Sequence, residues 1–109
     1  MQGLTMITKE AILEYLRSIK SVHEKNGIVI HGLFGSFARD EANEESDIDV
    51  LIETTPRFVA NIDPLKAFSI LQELREEISH HFSCSVDLAD KTGLRGRSGE
   101  YILQKTIYV

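Results

Sequence analysis

Ile28-Val29-Ile30-His31-Gly32-Leu33-Phe34, then Gly35-Ser36, then Asp47-Ile48-Asp49-Val50-Leu51-Ile52-Glu53 form the stretch from which the fold can be read. The first run is short and rich in β-branched residues, as in a buried strand. Gly35-Ser36 closes it ahead of a helical turn through Phe37, Ala38 and Arg39. In the second run the residues alternate: Ile48, Val50 and Ile52 face one way, Asp47, Asp49 and Leu51 the other. Asp40 to Ser46, polar and acidic, reads as an exposed loop between them.

Helical periodicity flanks these strands. From Thr8 to Lys25, Ile12, Leu16, Ile19 and His23 recur at helical spacing, with Thr8 as N-cap and Asn26-Gly27 as the stop. Asp63-Pro64 opens a second long helix, whose predicted apolar stripe is Leu65, Phe68, Leu71, Leu74, Ile78 and Phe82. The intervening Thr54 to Ile62 reads as loop. Cys84 to Ala89 alternates again, and Ser98 is the expected cap of a last short helix. Thr106 to Val109 either finishes that helix or adds a small strand. The order α, β, β, α, β, α predicts an α/β (α+β) fold: a small mixed β-sheet flanked by helices, its strand order left open.

A length of 109 residues predicts one domain, residues 1–109. Its 42% hydrophobic and 27% charged residues are the balance of a globular chain, not a disordered or fibrous one. The longest mainly apolar stretch, Gly27 to Ala38, falls far short of the roughly 18 residues a membrane helix needs. Met1 to Thr5 lacks a basic start followed by an apolar run, and the lone Cys84 can form no intrachain disulfide, so a cytoplasmic protein is expected. With a net charge of −5 and no Lys/Arg-rich run, nucleic acid is disfavoured as a direct partner. Only Lys91, Arg95 and Arg97 gather, as a solvated loop or as a contact for nucleotide phosphate or an acidic partner. His80, His81 and Cys84 lack the fourth ligand that a structural zinc requires.

Asp47 and Asp49 carry the chemistry. Residues i and i+2 of a strand project from one face about 6–7 Å apart, so the two carboxylates repel unless a cation joins them. Phosphoryl and nucleotidyl transfer with two metal ions needs such a pair, although a solvated strand edge also produces Asp-x-Asp. Gly35 permits close approach of backbone to a phosphate, and the Ser36 hydroxyl can donate to one; a plain strand-to-helix turn is the other use of Gly-Ser. No Gly-Lys-Ser/Thr follows, so this is not a P-loop.

Taken together, Gly35-Ser36, Ala38-Arg39 and Ser46-Asp47-Ile48-Asp49 resemble, position for position, the signature of the DNA polymerase β-like nucleotidyltransferases. Ser85-Val86-Asp87-Leu88 is similar to the family's third catalytic strand. Tyr101-Ile102-Leu103 through Ile107-Tyr108-Val109 is similar to the tails of its minimal nucleotidyltransferase subgroup, and the likeness runs from about residue 10 onward. The resemblance implies a polymerase β-like core in which Gly35 and Ser36 hold the triphosphate of ATP. It also implies that Asp47, Asp49 and Asp87 ligate two Mg²⁺ ions and that Asp87 assists deprotonation of the attacking hydroxyl. Arg39 either neutralises phosphate or pairs with the acidic loop. Asp40 stands where the family often has Gly.

The subgroup further implies AMP transfer from ATP to a tyrosine hydroxyl on a HEPN-domain ribonuclease toxin, which the small enzyme silences as its antitoxin. Two alternatives remain: a non-catalytic binding module, or nucleotidyl transfer to a small molecule such as an aminoglycoside. All three aspartates are present, which favours catalysis, and transfer to a small molecule would need a helical acceptor domain that 109 residues do not provide unless a partner chain supplies it.

Overall fold

The structure, a computed structural model, describes residues 7–109 and, at Asn61, the backbone alone. The opening Met1 to Thr5 lies outside the described residues. Helix α1 (Lys9–Lys25) leads into strand β1 (Ile28–Phe34), the short helix α2 (Gly35–Ala38) and strand β2 (Ile48–Thr54). Helices α3 (Pro56–Asn61) and α4 (Pro64–Phe82), strand β3 (Val86–Asp90), a 3-10 turn (Lys91–Gly93), helix α5 (Gly96–Lys105) and strand β4 (Ile107–Tyr108) follow.

Local chemistry sets the boundaries. The Thr8 hydroxyl accepts the Ala11 N–H at 3.1 Å, and the Asp63 carboxylate accepts the Lys66 N–H at 3.0 Å with Pro64 opening α4. The sheet order is β3-β2-β1-β4, with β1 antiparallel to both β2 and β4 and β2 parallel to β3. The parallel pair requires a crossover, which α3 and α4 provide. The chain is thus an α/β protein with a small mixed sheet flanked by helices.

One face of the sheet carries the core. Ile30 and Leu33 of β1, Ile48, Val50 and Ile52 of β2, and Val86 of β3 pack against Ile12 and Leu16 of α1 and Leu74 and Ile78 of α4. The two helices are tied to each other by Glu77, which accepts from the Tyr15 hydroxyl at 3.2 Å and pairs with His23 at 3.0 Å. Leu51 is fully buried yet stands apart from that cluster, because it points to the opposite face with Asp49. Among the described residues no helix is long and apolar enough to cross a membrane.

Three local expectations are corrected. Thr54 ends β2, and much of the expected loop beyond it is helix α3: Thr55 caps it by accepting the Phe58 N–H, and Phe58 is buried in the core. Ser98 does not cap α5. Arg95 holds that position without a side-chain bond, and the Ser98 hydroxyl reaches back to its carbonyl at 3.5 Å. The apolar stripe of α4 is buried only in its second half, since Leu65 is 84% and Phe68 64% exposed. The final residues settle as β4 rather than extending α5.

If α3 anchors the crossover, Phe58→Ala costs about 3 kcal/mol in urea unfolding, as for a large buried aromatic. A loss within about 0.5 kcal/mol, normal for a surface loop, would contradict it.

Candidate active site

Asp49 sits half-buried on the face of β2 turned away from the main core. Its register partner on β3 is Asp87, so the two aspartates are neighbours across adjacent strands, which lie about 4.8 Å apart, and project from one face. Its partner on β1 is Phe34, which brings the following Gly35 against it. A Cβ on Gly35 would lie 2.0 Å from Asp49 Oδ2, and its φ is +78°. Only glycine fits both the conformation and the space.

Asp47 lies one residue before the first residue of β2, exposed, where the Ile48 N–H bonds to the Ser85 carbonyl at 2.8 Å. Burial, then the charges of Asp87 and Asp47, push the Asp49 carboxyl up to about 6, while Arg39 opposes them. Ser36 is half-buried in α2, and among the described residues its hydroxyl makes no hydrogen bond within the chain. Arg39 caps the end of α2 and donates from Nε to Glu41 at 3.0 Å. That pairing is with the acidic loop, yet its guanidinium still acts on Asp49. The structure therefore gathers Gly35, Ser36, Asp47, Asp49 and Asp87 with Arg39 at the margin.

The residue set fits a hard divalent cation. The donors are carboxylate oxygens, and burial first, then the charges of Asp87 and Asp47, raise Asp49 from 3.8 to about 6, a cost that a bound cation would relieve. Among the described residues no three His, Cys, Asp or Glu side chains stand close enough together to form a ready-made metal site. Asp47 and Asp87 are exposed and Asp49 is half-buried. Asp87 lines a groove of about 390 Å³ between α4 and β3, Asp47 lines a cleft of about 1170 Å³ beside the acidic loop, and Asp49 lines neither.

Asp40 adopts φ 59°, the left-handed conformation a glycine favours, which Asp tolerates better than most residues. Lys9 pairs with the Asp40 carboxylate at 2.9 Å. His31 bonds to Glu53 at 2.8 Å, His81 stacks on Tyr15 at 3.9 Å, and the Cys84 thiol donates to the Ser46 carbonyl at 3.4 Å.

Asp90 was not singled out in the sequence. Its carboxylate accepts from the Thr54 hydroxyl at 2.7 Å and the Thr92 N–H at 3.0 Å, tying β2 to the end of β3. Burial raises its pKa, but those bonds outweigh it and hold the carboxyl below the usual range. Asp90-Lys91-Thr92, an Asp two residues before a backbone donor, was the available signal.

The nucleotidyltransferase domain family matches residues 12–109. The protein adenylyltransferase MntA of Thermococcus cleftensis is 32% identical over 107 residues, 97% of this chain and all of that one. Two proteins of Methanocaldococcus jannaschii, named as candidate protein adenylyltransferases, are 36% and 38% identical over 83% and 82% of this chain and 85% and 84% of their own. A solved structure described as a candidate minimal nucleotidyltransferase superposes with a TM-score of 0.72 at 24% identity, over 97% of this chain and all of that one.

The Asp49 shift has a sign that can be measured. Its carboxyl is raised from 3.8 to about 6, so the folded protein holds more protons than the unfolded chain between those values. The stability this lends the metal-free protein is complete below pH 3.8 and lost as pH rises through about 6. Asp49→Asn, compared with the parent by melting temperature in chelator, should gain on it as pH rises across that window. A difference that does not change with pH would contradict the shift.

Proposed function

The chain belongs to the nucleotidyltransferase domain family, and from that premise we propose that it transfers AMP from ATP to a hydroxyl of a partner protein. The single observation that carries the reading is the register pairing of Asp49 with Asp87 across β2 and β3, with Gly35 packed against Asp49 and the charge of Asp47 acting on it. Relatives named as protein adenylyltransferases, with which the chain aligns over most of its length, support a protein as acceptor.

In this mechanism the acceptor oxygen attacks the α-phosphorus of ATP, the bond to the β-phosphate oxygen breaks, and pyrophosphate leaves. Asp47, Asp49 and Asp87 would hold Mg²⁺, which supplies neutralisation of the phosphate charge and orientation of the triphosphate. The Ser36 hydroxyl, without a hydrogen bond among the described residues, donates to a phosphate oxygen, and Gly35 lets the backbone approach. Asp87, the exposed member of the register pair, accepts the proton of the incoming hydroxyl. Arg39 exchanges its bond to Glu41 for the departing pyrophosphate.

The acceptor we assign is a tyrosine of a HEPN-domain ribonuclease, silenced by the transfer, in the cytoplasm where ATP is plentiful. This finer assignment rests on the resemblance to the minimal nucleotidyltransferase subgroup. An acidic chain of net charge −5 is better suited to a protein surface than to an RNA backbone.

The test uses purified protein, Mg²⁺ and ATP labelled at either the α or the γ phosphate, with the neighbouring gene's product as acceptor. Label should pass to the acceptor from the α position only, and Asp47→Asn/Asp49→Asn should lower the rate by at least about 10²-fold. A stable complex formed equally by both forms, with no label transferred, would instead identify a binding module.

A further inference from the structure

Charge is divided unevenly along this chain. The first ninety residues hold eight Lys/Arg against sixteen Asp/Glu, and the last nineteen hold four against one. Two of those four cations share a face of α5 with an aromatic ring. Arg97, Tyr101 and Lys105 follow one another at i, i+4 and i+8, the spacing that stacks side chains along one helix face. All three are exposed, and Lys105 Nζ stands 5.8 Å from the centroid of the Tyr101 ring.

Among the described residues no carboxylate pairs with Arg97 or Lys105, and the Tyr101 hydroxyl makes no hydrogen bond within the chain. Half the surface of Tyr101 is open to solvent. The fold also joins this face to the candidate active site. Helix α5 contacts α2, the helix that begins at Gly35 and ends at Arg39, and Arg39 lies within the electrostatic reach of both Asp49 and Tyr101. An exposed aromatic ring between cations is how proteins hold a base: the ring stacks on its π-face and the cations meet its phosphates.

We propose that Tyr101, flanked by Arg97 and Lys105, is the platform on which the base of the nucleoside triphosphate stacks. The platform deepens the nucleotidyl-transfer reading and rests on it. The occupant follows from charge and continuity. A polynucleotide would have to cross the acidic remainder of the surface, whereas a single nucleotide needs only the stripe and the neighbouring α2, which α5 contacts. Tyr101 is a binding residue here, and it serves affinity and base preference rather than the chemical step.

The experiment measures, by calorimetry with Mg²⁺ present, the affinity of the full chain for ATP and for inorganic tripolyphosphate, which has no base. Tyr101→Ala and Tyr101→Leu should each weaken ATP by about tenfold, leave tripolyphosphate unchanged, and raise KM for ATP with kcat nearly constant. Tyr101→Phe should retain ATP affinity. The leucine variant keeps the bulk of the ring should alanine disturb α5. Equal losses on both ligands, or no loss on ATP, would overturn the platform while leaving nucleotidyl transfer standing. Failure of the parent protein to bind ATP would overturn both. Loss of acceptor-protein binding in Arg97→Glu/Lys105→Glu, with ATP affinity kept, would give the stripe to an acidic partner instead and also overturn the platform.

Discussion

Like charges held on one patch of sheet are the constraint around which this structure is arranged. Asp49 and Asp87 are register partners on parallel strands, and Asp47 stands at the entry to β2. Burial and mutual repulsion make ionisation of Asp49 costly, so the scaffold must supply the force that keeps the three together. That force comes from the other face. Ile48, Val50, Ile52 and Val86 lock β2 and β3 into register beneath α1 and α4. A slip of one residue would turn the aspartates into the core and the isoleucines into water.

The same alternation that fixes the register made much of the site legible in the sequence. Ile48, Val50 and Ile52, alternating with Asp47, Asp49 and Leu51, point the carboxylates away from the core, and β2 holds Asp49 on that face. The bounds of α1, β1 and α4 were readable because each has a local chemical cause: the caps at Thr8 and Asp63 and the break at Asn26-Gly27. Strand order was not readable. Pairing of β2 with β3 depends on α3 and α4 crossing over the sheet, a long-range outcome that no local pattern encodes.

Each mistaken element has a physical reason of its own. The Thr54 to Ile62 stretch shows no helical apolar period because α3 is one turn and a half long and buries Phe58. Leu65 and Phe68 fit the period of α4 yet stay exposed: Phe68 borders the open groove between α4 and β3 instead of entering the core. The contact of Gly35 with Asp49 was invisible for a different reason. A glycine after a strand signals a turn, and only the fold shows that the missing side chain makes room for a carboxylate.

Placement of a divalent ion at the trio is the central claim, and Mn²⁺ as a paramagnetic stand-in for Mg²⁺ tests it most directly. Titrated into isotope-labelled protein, Mn²⁺ should first broaden the amide signals of Gly35, Asp49 and Asp87, and the effect should vanish in Asp49→Asn. Broadening centred on the acidic loop at Glu41, Glu44 and Glu45, unchanged in the variant, would contradict a metal site at these three aspartates.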